Sequence, residues 1–340
     1  MDKHERIQLF TETIWNWYSI HKRELPWRDL KDSDPTARAY KILVSEVMLQ
    51  QTQVSRVKIV FRDFLEKFPK ISDLGSASNR DVLLAWRGMG YNSRALRLRD
   101  AAKAIVEQFE KKFPESMEDL LAIKGIGSYT AAAIRNFAFN IPTPCIDTNI
   151  RRILHRTFVG PENADGTWKK DDQFLLSLAR EVLDTAISPP PSEEGLGVEG
   201  KTRDAANWHA SLMDFGSLVQ TKNNPRWDVC PLTARGIMKT TKRTFDRRRG
   251  LARQAPTTQI EPGRFVGQKY IPNRIFRGKI VEALRDAERG LTVTQIGREV
   301  CIDWNAKEHD LWLKNLIKKL VQDGLLQHQR NKFGLSIPRN

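Results

Sequence analysis

The chain has 340 residues, enough for one large core and a second, smaller domain, and its 56 Lys and Arg against 41 Asp and Glu leave a formal net charge of +15. That excess favours a polyanionic partner, nucleic acid first, because each phosphate neutralised by Lys or Arg releases counterions. The charged, amphipathic start (MDKHERIQLFTETIWNWY) lacks the long apolar core of a signal peptide or a membrane span, and three scattered cysteines, Cys145, Cys230 and Cys301, lack the paired spacing of a disulfide framework or a zinc site; an intracellular protein is expected.

Apolar positions recur at helical spacing through residues 4–186, as at Ile42, Val44, Val47 and Met48, without sustained alternation, so the first domain is expected to be almost entirely helical. Within YKILVSEVMLQQTQVSRV, Glu46 lies in an apolar helical run that ends in a polar turn, Gln50-Gln51-Thr52-Gln53. A buried carboxyl has a raised pKa and can donate a proton near neutral pH. The plainer reading is a Glu on the solvent side of the helix or paired with an arginine. The glutamines, long, neutral and rich in donors and acceptors, suit insertion into a base stack, or form an ordinary polar surface turn.

Further along, LLAIKGIGSYTAAAIRNFAF places two amphipathic helices around a hairpin built on Gly125 and Gly127. Two glycines bracketing one apolar residue let successive peptide N–H groups point outward at a helix start, which can hold a phosphate without reading a base, and Lys124 adds charge. A tight turn between helices explains a lone Gly-x-Gly as well; the flanks favour phosphate binding. Next, in CIDTNIRRIL, Asp147 follows an apolar run and precedes a helix beginning near Thr148. Asp is a favoured N-cap. Breaking an N-glycosidic bond builds positive charge on the sugar, and a fixed carboxylate stabilises it, so one aspartate could do both.

The stretch SPPPSEEGLGVEGK, 188–201, is too rich in proline, glycine and acid to order itself and reads as an exposed, mobile insertion. Helical patterning returns over 203–218, and a basic linker follows at 239–263. Beyond it, NRIFRGKIVEALRDA, LTVTQIGREV and HDLWLKNLIKKLVQDGLL predict three helices and HQRNKFGLSI a short hairpin, the pattern of a small winged-helix-like C-terminal domain at 264–340, with a generic three-helix bundle as the alternative.

In order and spacing, LPWR (25–28), SEVMLQQTQV (45–54), GYNSRALRL (90–98), KGIGSYTAAAI and IDTNIRRIL resemble the MutY branch of the helix-hairpin-helix DNA glycosylases, over residues 5–235. The resemblance implies a mainly α, two-lobed glycosylase domain at 1–238 that removes adenine mispaired with 8-oxoguanine or guanine in duplex DNA. It implies Glu46 as the acid that protonates adenine, Asp147 as the stabiliser of the sugar cation or covalent intermediate, and Tyr129 and Asn149 as supporting partners. Tyr129 stands where the endonuclease III branch carries a lysine nucleophile, which implies a monofunctional enzyme. Leu25, Trp27 and Arg28 correspond to the base pocket. Gln50, Gln51, Gln53 and Tyr91 correspond to the region that wedges the duplex, and Lys124, Gly125, Ile126, Gly127 and Ser128 to the phosphate-binding hairpin.

Two departures matter. The family's four-cysteine loop, C-x6-C-x2-C-x5-C, aligns with Gln220, Trp227, Cys230 and Gly236, and one cysteine cannot hold an iron–sulfur cluster. A clusterless protein without a metal is expected, with Pro225, Trp227 and Pro231 packing in place of ligation and Lys222 and Arg226 still meeting phosphate. The tail resembles the small C-terminal domain of some actinobacterial and archaeal MutY proteins, not the Nudix-related domain that helps other members recognise oxidised guanine. The alternatives are a thymine or uracil glycosylase on G mismatches and a non-catalytic DNA-binding protein. A cytoplasmic, nucleoid-associated monomer that does not bind membranes is expected.

Overall fold

The computed structural model describes residues 1–163, 165–188, 203–252 and 261–336, with the backbone alone at 248–252. The insertion expected at 188–201 lies outside the described residues except for Ser188, as does 253–260 of the expected basic linker. In chain order the helices are α1 (Lys3–His21), α2 (Pro35–Leu49), α3 (Val54–Lys67), α4 (Ile71–Ser76), α5 (Asn79–Ala85), α6 (Ser93–Gln108), α7 (Met117–Ala122), α8 (Ser128–Ala138) and α9 (Thr148–Leu154), which widens into a π-turn, His155–Val159. Then come α10 (Asp172–Ile187), α11 (Ala205–Leu218), α12 (Pro231–Ala234), α13 (Lys242–Ala252), the hairpin β1 (Gly263–Val266) and β2 (Lys269–Pro272), α14 (Asn273–Arg285), α15 (Val293–Val300), α16 (Ala306–Gln322) and the hairpin β3 (Leu326–Gln329) and β4 (Lys332–Leu335). Among the described residues no helix is long and apolar enough to cross a membrane.

Two compact units result, Met1–Arg28 with Gly127–Thr257, and Asp29–Ile126 with Thr258–Asn340. In the first, α1 begins with a reciprocal cap between Asp2 and Glu5 and packs along α10 and α11. Phe10 meets Phe158 and Trp208 edge-on at 5.3 and 6.1 Å, and Trp17 meets Phe215 at 5.1 Å, at the centre of the core. The basic stretch expected as a linker carries α13. Thr241 and Thr244 exchange hydrogen bonds at its start, and Phe245, the one aromatic in a charged run, is buried 5.7 Å from the Trp227 ring.

In the second unit, α2 starts at an Asp34 cap with proline in its first turn and packs against α3 and α6, while Trp86 closes on Phe64 at 5.8 Å. The C-terminal segment forms the three helices and terminal hairpin read from sequence, with Leu291 bridging to Phe333 beside the hairpin in a winged-helix arrangement. Phe276, Ile280, Leu284, Ile296, Leu313 and Leu320 make its core. The β1–β2 hairpin was not expected; Phe265 and Tyr270 face each other across it at 5.3 Å.

Candidate functional site

Asp147 caps α9. Its Oδ1 accepts the Asn149 and Ile150 amides at 2.8 and 2.6 Å, and its Oδ2 accepts the Asn149 side-chain amide at 3.0 Å. Burial pushes this carboxyl above its ordinary value, opposed by those hydrogen bonds and by the Arg152 charge. Arg152 is buried, and its Nη2 donates to Asn149 Oδ1 at 2.5 Å and to the Gly216 carbonyl at 2.9 Å, while Nε donates to the Gln220 carbonyl at 2.5 Å. Gly216 is required here, since a Cβ would stand 2.6 Å from Asn149 Cβ. α9, α11 and the start of the 220–238 loop thus fix one carboxylate through one amide and one guanidinium. Tyr129, in the first turn of α8, is half-buried against the same unit's core.

The helix-hairpin-helix turn adopts the shape its glycines allow. Gly125 has φ +102°, closed to a side chain at low cost, and Ile126, 5% exposed, anchors the turn with its N–H on the Ile123 carbonyl at 3.0 Å. Lys124, Gly125, Gly127 and Ser128 are exposed, and Gly127 begins α8 with no side-chain cap, so the first helical amides have no capping acceptor. That arrangement can accept an anion.

Glu46 lies on the buried face of α2 at 7% exposure and belongs to the second unit, whereas Asp147, Tyr129 and Asn149 belong to the first. Beyond α2 the glutamine turn protrudes: Gln50, Gln51 and Gln53 are exposed, and Gln51 has φ +57°. Tyr91, 47% exposed, also takes a left-handed backbone at φ +43°. Non-glycine residues pay for that conformation, and such strain clusters at functional sites. The residue that joins these two turns was missed in the sequence. Arg94, 3% exposed, donates from Nη1 to the carbonyls of Val47 (2.9 Å), Met48 (3.1 Å) and Gln50, and from Nη2 to Thr52 Oγ1 (3.0 Å) and the Met89 carbonyl (3.2 Å). Its guanidinium also lies 5.5 Å from the ring centroids of Trp86 and Tyr91, and burial lowers its pKa to about 10.

Leu25 and Trp27 are buried in a turn closed by the Arg28 amide on the Leu25 carbonyl at 2.9 Å. The Arg28 guanidinium is turned onto Asp214, bidentate at 2.7 and 2.8 Å, and Arg23 shares that fully buried carboxylate at 2.7 Å. Sequence reading missed Asp214, whose only signal is an acid within an apolar helix.

Of the four positions where the resemblance places cluster cysteines, Gln220 and Cys230 are buried, Trp227 is half-buried and Gly236 is exposed. Gln220 is buried, with its Nε2 3.3 Å from Cys230 Sγ and 3.5 Å from Met238 Sδ, and its Oε1 accepts from Arg156 at 3.3 Å. Arg156, also buried, donates to the Thr221 and Lys222 carbonyls at 3.0 and 3.2 Å and to Glu162 at 3.2 Å, beneath the Phe245 ring at 4.8 Å. An amide, an indole, one thiol and a glycine do not fit a four-thiolate cluster. Among the described residues no group of three or more His, Cys, Asp or Glu could hold a metal ion.

Residues 44–172 match the family described as HhH-GPD superfamily base excision DNA repair protein. The adenine DNA glycosylase of Mycolicibacterium smegmatis is 32% identical over 283 residues, covering 83% of this chain and 83% of that protein. That of Mus musculus is 35% identical over 229 residues, covering 66% of this chain and 41% of the mouse protein. Among solved structures, a thermostable thymine-DNA glycosylase shares the fold at TM-score 0.56 and 21% identity, over 72% of this chain and 98% of that one. An endonuclease III trapped as a covalent DNA intermediate does so at TM-score 0.52 and 17% identity, over 70% and 97%. These two likenesses speak to fold alone, and the first pair to kinship: the chain belongs to the adenine DNA glycosylase family, within the helix-hairpin-helix superfamily of base excision repair proteins.

Proposed function

We propose that this protein excises adenine paired with 8-oxoguanine or guanine in duplex DNA by hydrolysing its N-glycosidic bond. The observation that carries the reading is kinship to adenine DNA glycosylases along most of the chain, at 32% identity over 283 residues. The reading assigns each step a residue. Glu46, on the buried face of α2, supplies the proton that a departing purine needs at a ring nitrogen. Asp147 stabilises the positive charge that develops on the sugar, its oxygens fixed in advance by α9 and Asn149 so that little reorganisation is needed. Tyr129 replaces a lysine nucleophile, so the reaction ends at an abasic site without strand cleavage. The Lys124–Ser128 turn holds a phosphate, Leu25 and Trp27 wall the base pocket, and Gln51 and Tyr91 enter the stack when the base is flipped. Arg28 supports that pocket from behind through Asp214.

The protein works without an iron–sulfur cluster. The Arg156, Gln220 and Phe245 contacts brace the loop that presents exposed Lys222 and Arg226 to DNA. Purified protein should show neither a broad visible absorbance band nor acid-labile sulfide; the two together would overturn this part.

The test is single-turnover base release by the purified monomer on duplexes with A opposite 8-oxoguanine, A opposite G, and T or U opposite G. Adenine release that disappears in Glu46→Gln is expected. Release of T or U alone, or release of nothing, would sink the adenine assignment.

A further inference from the structure

The helix that Asp147 caps is short. With seven residues α9 has few hydrogen bonds of its own, so where Asp147 sits depends on what fastens the other end of the helix. There the chain widens into the π-turn His155–Val159, closed by the Gly160 amide on the His155 carbonyl at 2.8 Å, and Phe158 of that turn reaches the core 5.3 Å from Phe10.

The His155 side chain is fully buried and engaged at both nitrogens. Nδ1 lies 2.9 Å from the Gly160 carbonyl, which can only accept, so Nδ1 carries the proton. Nε2 accepts the Lys169 amide at 3.0 Å and is therefore bare. The ring is fixed as the neutral Nδ1–H tautomer, with Trp168 edge-on at 5.1 Å. Gly160 directly follows the π-turn, and Lys169 stands two residues before Asp171, the cap of α10, so one imidazole holds both ends of the connection from α9 to α10. Arg151 adds an ion pair from α9 to Asp172. The flanking Arg152 and Arg156 grip carbonyls of the 216–222 stretch, and Arg152 also holds Asn149.

We propose that His155 is a positioning residue for Asp147: its neutral ring locks the end of α9 to the start of α10 and so keeps Arg152, Asn149 and Asp147 aligned. A second proton is incompatible with the lock, because an Nε2–H would face the Lys169 N–H, donor against donor. Burial, joined by the charges of Lys169 and Arg151, holds the ring below its ordinary 6.5, against the pull of the Gly160 carbonyl and Glu162. The lock therefore holds above 6.5 and opens as pH falls through that lowered value, and stability and base release fall with it. This rests on the reading of the protein as an adenine glycosylase with Asp147 at the sugar.

Two measurements on the full chain test it. Single-turnover adenine release from an A:8-oxoguanine duplex should show a fall below 6.5, distinct from the limb that Asp147 sets, and His155→Phe and His155→Asn should both lack it, since neither new side chain titrates. Well above that pH, His155→Phe, which keeps a flat ring and loses both hydrogen bonds, should release adenine about tenfold more slowly at unchanged DNA affinity, and His155→Asn, which can still donate to Gly160, should recover part of the rate. A fall that persists in both variants overturns the proposal, as does a loss of affinity in step with the loss of rate. A proton–nitrogen correlation spectrum of the unsubstituted protein reads the same point without a substitution: His155 should carry its proton on Nδ1, with Nε2 bare, and titrate in step with release. A proton on Nε2 overturns the lock. Release by the unsubstituted protein without the fall sinks the lock alone, and no release from any duplex sinks the adenine reading.

Discussion

At Asp147 the backbone is an ordinary helix cap and the side chain is the constrained part, with both carboxylate oxygens occupied by α9 amides and Asn149. At Gln51 and Tyr91 the constraint is reversed: the side chains are exposed and the backbone takes φ +57° and +43°. The difference suits the two tasks proposed for these residues. A group that stabilises charge works best when its dipoles and partners are already in place, so its hydrogen bonds are spent inside the protein. A group that enters a base stack must keep its own contacts free for DNA, so its position has to be set from below, by main chain that Arg94 grips through its carbonyls.

Variants can break this contrast. Asp147→Asn keeps a good cap and removes the charge, so adenine release should fall on the order of 10³-fold while DNA binding and melting temperature hold, read by single-turnover kinetics and calorimetry. A comparable fall in binding would mean that Asp147 only shapes the fold. Arg94→Met leaves several buried carbonyls without a donor and should cost about 3 kcal/mol or more of stability in denaturant titration, with Arg94→Lys recovering only part of it. If Arg94→Met melts like the parent, the two turns are held by something else. Gly216→Ala forces a Cβ against Asn149 and should cost about 1–3 kcal/mol, with release slowed more than binding.

The pH profile sharpens the same contrast. The role proposed for Asp147 needs it ionised, and burial raises its pKa above the ordinary 3.8, so release should be lost as pH falls through that raised value. A single-turnover acid limb centred at or below 3.8 would contradict the burial. The smallest expected effect is at Gln51→Gly, where relief of the left-handed strain should stabilise the protein by about 0.5–1 kcal/mol while weakening discrimination for mispaired duplex. Stabilisation with undiminished discrimination would separate strain from function.

Local signals were the legible ones. Asp147 before a helix, Gly125 and Gly127 between two helices, and the three C-terminal helices could be read because a cap, a turn and an amphipathic period are properties of a few adjacent residues. Arg94, Arg152 and Arg156 could not. In a chain of net charge +15, each reads as one more surface cation. Their partners are main-chain carbonyls tens of residues away, such as Val47 for Arg94 and Gln220 for Arg152, and a carbonyl has no sequence signature. Likewise α13 hides in a basic run because a single aromatic, Phe245, anchors it, and α14 meets Asn92 through a buried pair, Arg285 with Asn92, separated by 193 positions.

Asn149 carries a consequence of its own. Its amide faces a cation with its oxygen and an anion with its nitrogen, so Arg152 influences Asp147 across an uncharged spacer. A direct ion pair would hold the aspartate's negative charge close to the arginine, and that attraction would have to be loosened as charge grew on the sugar. With the amide interposed, the guanidinium offsets only a little of the rise that burial imposes on the carboxyl, and it orients the aspartate through Asn149. The aspartate is aimed without being quenched.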